Sequence, residues 1–355
     1  MKILEVGMGA NLGGIETYFH NYYKHFSKDF HFDFTDKEDG LAFSDEYTAD
    51  GCIIYHMPDF KKQPISYFFK LTHILKDGGY DAIHINMLSA ANILPVIAGR
   101  FTKTKVIVHS HNSGTPSGFS RKLLHYINKP LLKFADVYLA CSNLAGEWLF
   151  GNKHFTVIPN AIDSSVFNVN NNKRTEYRAK LGFSENNYVI GHVGRFAEQK
   201  NHTFIIDVFS ELHKKSDNYK LLLVGDGELK ENILNKVTEL GLTNSVVFTG
   251  NVSNVQDYMQ AMDLFVLPSL FEGLPVTGVE AQACGLSCLF SDTITNELKI
   301  TENVEFVSLE DKAKWIKTAE KMVKHPKTDN IEIIRSAGYD ISETAKKLEE
   351  IYLNR

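Results

Sequence analysis

Cysteine is scarce in this sequence: Cys52, Cys141, Cys284 and Cys288 are the four among 355 residues. Their spacing matches no zinc pattern, and so few thiols in so long a chain make no disulfide framework. Reduced thiols in a cytosolic protein are the expectation. Long apolar runs are missing as well, since no stretch approaches the ~20 residues of a membrane-spanning helix. The opening Met1-Lys2-Ile3-Leu4-Glu5-Val6-Gly7 reads as a buried strand, without a basic segment leading into a long apolar one. An excess of positive charge is lacking too. The chain has 38 Lys and Arg against 43 Asp and Glu, for a net charge of −5, which excludes a general nucleic-acid binder. With 43% hydrophobic and 23% charged residues, it has the composition of a globular protein, not a disordered one.

What is present is a rhythm. Short apolar runs alternate with helix-length amphipathic segments such as Ile15 to Phe26 and Tyr67 to Leu75. Strands are expected at Ile3 to Gly7, Phe32 to Thr35, Cys52 to His56, Ala82 to Asn86, Val106 to Ser110, Val137 to Ala140 and Thr156 to Ile158. A polar, Asn-rich stretch over 168–175 then reads as an inter-domain connection. The rhythm restarts with Tyr188 to Val193, Leu221 to Val224, Val246 to Thr249, Leu264 to Leu267 and Cys288 to Phe290. A helical pattern over Ser342 to Leu353 closes the chain. Continuous apolar strands separated by helices indicate parallel sheets covered on both faces, hence two doubly wound α/β domains.

Charge is uneven in the first half. From Asp29 to Asp59 there are nine acids and one base; from Phe60 to Lys133 there are eleven bases and two acids. Solvated helix faces would explain this, and so would a basic face for anionic lipid or a phosphorylated acceptor. Aromatics interleaved with bases in Phe60-Lys61-Lys62-Gln63-Pro64-Ile65-Ser66-Tyr67-Phe68-Phe69-Lys70 suit an interfacial helix.

Several motifs follow strands. Gly7-Met8-Gly9-Ala10-Asn11-Leu12-Gly13-Gly14 is a glycine loop before a helix, suited to close backbone approach by an anionic ligand. Leu12 occupies the third glycine position of a dinucleotide fingerprint, which disfavours an oxidoreductase. His109 and His111 end a strand on one face, about 7 Å apart by strand geometry. No third ligand at a recognisable spacing makes them a metal site, and either could be the active-site contact, with His111 the better placed. In Gly194-Arg195-Phe196-Ala197-Glu198-Gln199-Lys200, the two cations can converge on a diphosphate. Val224-Gly225-Asp226-Gly227-Glu228 is a second glycine turn, with a geometric role sufficient to explain it. In Phe271-Glu272-Gly273-Leu274-Pro275-Val276-Thr277-Gly278-Val279-Glu280, a helix is expected to start near Pro275. Its free N–H groups suit a phosphate, and the two carboxylates suit sugar hydroxyls.

This last motif, with Gly-Arg-Phe and the Lys five residues after the Arg, resembles the retaining glycosyltransferases of family four. So does Val157-Ile158-Pro159-Asn160-Ala161-Ile162-Asp163, where the family usually has Gly at Ala161. The likeness runs from Gly13 to about Glu297 and is nearest to enzymes of capsule and exopolysaccharide synthesis. It implies the GT-B fold, two Rossmann-like domains facing across a cleft. Those would be residues 1–167 for the acceptor, 168–335 for the nucleotide-sugar donor, and 336–355 as a helix packing back towards the first domain. No cofactor and no metal are implied; the absence of an Asp-x-Asp triplet agrees.

The resemblance further implies roles. Arg195 and Lys200 bind the donor diphosphate and neutralise the leaving group. Glu280 holds the ribose and Glu272 the donor sugar's hydroxyls. The backbone of Gly273, Leu274, Pro275 and Val276 cradles phosphate, although Pro275 cannot donate an N–H. Gly13 and Gly14 let the diphosphate and acceptor approach, and His111 lies close to the anomeric centre. The implied partners are a UDP-sugar and a saccharide or polyprenyl-diphosphate-linked acceptor, at the cytoplasmic face of the cell membrane. A non-catalytic nucleotide-sugar-binding subunit and a GT-B nucleotide-sugar epimerase are the alternatives. A glycosidase acid pair is disfavoured by the phosphate-binding features around Glu272 and Glu280.

Overall fold

The computed structural model describes every residue except 12, 13, 37–39, 113, 115–117 and 355. The chain forms two compact units. The first comprises Met1–Ala161 and Ile341–Arg355, the second Ile162–Asp340.

The first unit is built on seven parallel strands: β1 (Lys2–Val6), β2 (His31–Asp36), β3 (Ile54–His56), β4 (Ala82–Met87), β5 (Lys105–Ser110), β6 (Val137–Ala140) and β7 (Thr156–Val157). They are ordered β3-β2-β1-β4-β5-β6-β7. Side chains alternate between the two faces. Leu4, Val6, Ile83, Ile85, Val106 and Val108 feed one apolar layer. Ile3, Ala82, Ile107 and Leu139 feed the other, which also takes Ile341, Ala345, Leu348 and Tyr352 from the last helix, Ile341–Leu353. Those four recur at helical spacing and are buried, so the C-terminal helix is part of the first unit's core. Lys105 Nζ donates to the carbonyls of Ile351 (2.7 Å) and Tyr352 (3.0 Å), a cation on the free carbonyls of a helix end.

The second unit has six parallel strands: β8 (Tyr188–Val193), β9 (Tyr219–Val224), β10 (Val246–Phe248), β11 (Leu264–Leu267), β12 (Ser287–Ser291) and β13 (Val304–Val307). Their order is β10-β9-β8-β11-β12-β13. Val189, Val193, Phe265, Leu267 and Phe290 pack on one face, and Ile190, Leu221, Leu223, Val266 and Leu289 on the other. In each sheet the order reverses once, between β1 and β4 and between β8 and β11. Ligands of open α/β sheets bind beyond the strand ends at such reversals.

Three expectations are corrected. The strand β13 was not foreseen: it is a four-residue edge strand whose Glu305 is exposed, so its apolar signal is weak. The division of the chain falls at Ala161/Ile162 and Asp340/Ile341, not at 167/168 and 335/336. The reason is a pairing between segments distant in sequence, since Ile162 bridges Asp340 and its N–H donates to the Tyr339 carbonyl at 2.9 Å. The Asn-rich stretch is no linker either. Asn170 caps the helix Asn171–Lys180, its side chain accepting from the Lys173 N–H.

Candidate functional site

In the second unit, β8 and β11 are neighbours, so the loops that follow them meet. The Leu270 N–H donates to the Gln199 carbonyl (2.8 Å), and Gln199 Nε2 to the Phe271 carbonyl (2.9 Å). Between the same loops Lys200 Nζ lies 2.6 Å from Glu272 Oε1, with both side chains largely shielded from solvent. The second glycine turn supports this loop from below. A Cβ at Gly225, where φ is +133°, would lie 2.2 Å from the Gly194 carbonyl oxygen. One at Gly227 would lie 2.7 Å from the Phe196 nitrogen, so both glycines are required by close approach. Arg195 stands apart from Lys200: its side chain is 73% exposed, and its Nε donates to Glu228 Oε2 at 3.0 Å.

The helix Val276–Ala283 starts where expected, with Pro275 as its N-cap. Leu274 and Val276 anchor the loop by packing on the core. The first N–H groups of any helix lack an intrahelical acceptor and favour an anion. Pro275 supplies none, so the donors begin at Val276. Beside them, Thr277 Oγ1 is buried without a hydrogen-bond partner among the described residues. Gly273 has no atom within 4 Å of a would-be Cβ, so its neighbours do not require a glycine. Glu280, one helical turn on, is half-buried and makes no side-chain hydrogen bond among the described residues. Burial alone raises its carboxyl to about 7. Behind the loops, burial and then the Lys200 charge lower His202 to about 4; it stacks on Phe196 at 4.0 Å.

In the first unit a cavity of about 480 Å³ opens at the ends of β1, β2 and β4, lined by Asp36, Phe60, Tyr67, Asn86, Asn92 and Arg121 among others. Asp36 is buried: one carboxylate oxygen meets His56 Nδ1 at 2.6 Å and the other has no partner among the described residues. A Cβ on Gly7 (φ +107°) would sit 2.2 Å from the Asn86 carbonyl oxygen, so that glycine lets β1 end against β4. Gly14 opens the helix Gly14–Tyr23 with open space where a Cβ would go. Gly13 lies outside the described residues.

The two histidines of β5 separate clearly. His109 is wholly buried, with Nδ1 3.2 Å from His84 Nε2. Burial, then the neighbouring His111 and His84, keep it well below the usual imidazole range. His111, just past the strand end, is half-buried with Nε2 2.8 Å from Asn86 Oδ1, and burial lowers it to about 3. Asn86 is therefore shared by the cavity and by His111. Among the described residues no three His, Cys, Asp or Glu side chains converge to hold a metal ion.

Sequence reasoning missed Asn86, Asp36, Thr277 and the buried Glu5 beneath Asn86. For Glu5 and Asn86 the available signal was a polar side chain inside a buried strand, Lys2–Val6 and Ala82–Met87; Thr277 lies in a helix and Asp36 in the polar strand His31–Asp36, where no such signal stands out.

The basic segment is not one uniform face. Lys105 and Lys129 are spent on main-chain carbonyls. The helix foreseen around Phe60 runs Pro64–Gly78, with Tyr67, Leu71, Thr72, Ile74 and Leu75 buried and Ile65 and Phe69 exposed. The more open element is the helix Phe119–Asn128, in which only His125 is buried. Phe119, Leu123, Leu124, Tyr126 and Ile127 are all exposed there, beside exposed Arg121 and Lys122. Among the described residues no helix is long and apolar enough to cross a membrane.

Residues 12–166 match Glycosyltransferase Family 4, and residues 173–332 match Glycosyl transferases group 1. The putative glycosyltransferase EpsF of Bacillus subtilis is 31% identical, across 99% of this chain and 96% of its own. The Staphylococcus aureus capsular polysaccharide biosynthesis glycosyltransferase CapH is 26% identical across 100% and 99%. The Escherichia coli UDP-Gal:alpha-D-GlcNAc-diphosphoundecaprenol alpha-1,3-galactosyltransferase is 26% identical across 80% and 78%. Among solved structures, Anabaena HepE in complex with UDP superposes with a TM-score of 0.80 at 22% identity, over 99% of both chains. HepE with UDP and glucose gives 0.77 at 21% identity over 100% of both.

Proposed function

The chain belongs to glycosyltransferase family 4, and from that premise we propose that it moves a hexosyl group from a UDP-sugar to a saccharide carried on a polyprenyl diphosphate, in cell-surface polysaccharide assembly. The observation that carries this reading is the meeting of the Gly194–Asn201 and Pro268–Pro275 loops at the β8/β11 reversal. There Lys200 pairs with Glu272, and helix Val276–Ala283 starts four residues after that glutamate. Glu280, a carboxyl without a partner among the described residues, accepts from the ribose hydroxyls. Lys200 and the helix N–H groups, with Thr277 Oγ1 beside them, meet the diphosphate, and Arg195 joins by leaving exposed Glu228. Glu272, released from Lys200, accepts from the donor sugar.

The chemistry follows from charge. Breaking the glycosidic bond leaves positive charge on the sugar and negative charge on UDP. Fixed cations and aligned N–H groups stabilise that separation without reorganising during the reaction. The reading includes retention at the anomeric carbon and no requirement for metal, both drawn from the family resemblance. The acceptor saccharide is assigned to the first unit's cavity, where Asp36 offers hydroxyls a carboxylate oxygen that is unpaired among the described residues, and His111 to the reacting sugar. A lipid-linked acceptor calls for membrane contact. The exposed stripe Phe119, Leu123, Tyr126 and Ile127, flanked by Arg121 and Lys122, suits the anionic cytoplasmic face.

The deciding experiment is transfer from a panel of UDP-, GDP- and ADP-sugars to a synthetic diphospholipid-linked saccharide, in EDTA. Product formed only from a UDP-sugar, with the donor's anomeric configuration kept, is expected. Transfer undiminished in both Lys200→Ala and Glu272→Gln, or none from any UDP-sugar, would sink the reading.

A further inference from the structure

Glu5 is a charged residue in the middle of a buried strand, and the proposed chemistry makes no use of it. Its position in the sheet explains it. By strand parity Glu5, His84, Asn86 and His109 share one face, with His111 continuing the series past β5; in register, Glu5 pairs with His84 and Asn86 with His109. The face is the one covered by helix Ile341–Leu353, whose Tyr352 hydroxyl lies 2.6 Å from His84 Nδ1. Glu5 Oε1 is 2.9 Å from the same nitrogen, and Asn86 Nδ2 is 2.9 Å from Glu5 Oε2.

These contacts fix the Asn86 amide by elimination. Both groups near its Nδ2, the Glu5 carboxylate and the Val6 carbonyl (3.4 Å), can only accept. The NH2 therefore faces them, and Oδ1 faces His111 Nε2 at 2.8 Å. An amide oxygen only accepts, so His111 Nε2 carries the proton and Nδ1 carries the lone pair. That Nδ1 makes no hydrogen bond among the described residues. Low basicity of the half-buried ring keeps it neutral at ordinary pH.

We propose that Glu5 and Asn86 are positioning residues: they lock His111 as the Nε2–H tautomer, so that Nδ1 accepts a hydrogen bond from a hydroxyl of the reacting sugar. This rests on the reading of His111 as a sugar contact, and it narrows that contact. A neutral Nδ1 acceptor binds a hydroxyl and repels a phosphate oxygen, so His111 reads the saccharide and not the diphosphate.

The test reverses the polarity of the relay. In Glu5→Gln the new amide keeps its oxygen towards His84 and points N–H at Asn86. Asn86 must then flip, offer N–H to His111, and drive its proton to Nδ1. In Glu5→Gln/Asn86→Asp the amide and carboxylate have changed places, and an acceptor faces His111 again. Ring 15N spectra of histidine-labelled full-length protein, with His111 assigned by its Gln variant, are expected to read Nε2–H, Nδ1–H and Nε2–H in wild type, single and double variant. Alongside, kcat should fall at least tenfold in the single variant and recover in the double, with UDP affinity unchanged throughout. An Nδ1–H tautomer in the unaltered protein overturns the proposal even if no variant folds, and so does an unchanged tautomer in Glu5→Gln. The expected tautomers in a protein that transfers no sugar would refute the proposed function and leave the relay standing.

Discussion

Lys200 Nζ and Glu272 Oε1, seventy-two positions apart in sequence, lie 2.6 Å apart at the reversal of the second sheet. Their side chains are 18% and 10% exposed, so each neutralises the other out of water. Both are assigned to the donor, and in the donor-free site their two charges balance each other. Lys200→Ala should therefore cost stability as well as activity, about 1–3 kcal/mol, between the values for exposed and buried pairs. The loss in kcat/KM should be larger, about 10²–10³-fold, because a fixed cation facing the leaving group is gone. Lys200→Met/Glu272→Leu separates the two: urea denaturation should show stability recovered, while transfer stays lost.

Glu280 gives a pH prediction. Its folded carboxyl is raised by burial from 4.5 to about 7. The folded state thus holds the proton more tightly, so the contribution to stability is complete below pH 4.5 and is lost as pH rises through 7. Glu280→Gln cannot ionise. Relative to wild type it should gain stability across that window, by up to about 3 kcal/mol at pH 8. UDP affinity by calorimetry should nevertheless fall at least tenfold. Equal stability differences at pH 5 and pH 8 would contradict the burial argument.

The turn at Gly225 makes a geometric prediction. A methyl group there would lie 2.2 Å from the Gly194 carbonyl oxygen, at a φ of +133°. Gly225→Ala should cost at least ~2 kcal/mol through strain and clash. Because the displaced segment is the Arg195 loop, UDP binding should weaken too. A variant with wild-type thermal midpoint and UDP affinity would show that the loop yields freely.

The amphipathic helix Phe119–Asn128 predicts membrane behaviour. Phe119→Ser/Leu123→Ser/Ile127→Ser removes exposed apolar side chains that support no core. Folding and turnover on a short-chain soluble acceptor should be unchanged, while co-sedimentation with anionic vesicles at low salt is lost. Wild-type protein should be partly released by 1 M salt, where the screening length falls to about 3 Å. Equal sedimentation of wild type and triple variant would remove the helix from the membrane contact.

Much of the fold could be read from residues alone, for a physical reason. A parallel strand covered on both faces is largely apolar along its length, so β1, β4, β8, β9 and β11 announce themselves. The edge strand β13, with Glu305 exposed, carries no such signature, and the boundary at Ala161/Ile162 is set by pairing with Tyr339 and Asp340 far along the chain. The loops that follow β8 and β11 were legible because glycines, a proline and charges recur there at short spacing. Asp36, Asn86 and Glu5 were not, because each is a polar residue within a buried strand whose importance depends on the neighbours that the sheet brings to it.

The sequence by itself determined the class of the protein: two α/β units, glycine turns after strands, and cations and carboxylates in the loops that follow β8 and β11. These are properties of short segments, written in spacing and periodicity. Only the tertiary structure decided which charges meet. It paired Lys200 with Glu272, gave Arg195 to Glu228, and buried His109 while leaving His111 half-open. It also ran a buried relay from Tyr352 through Glu5 to Asn86. Such choices depend on strand order and on the face each side chain takes, which relate residues tens to hundreds of positions apart.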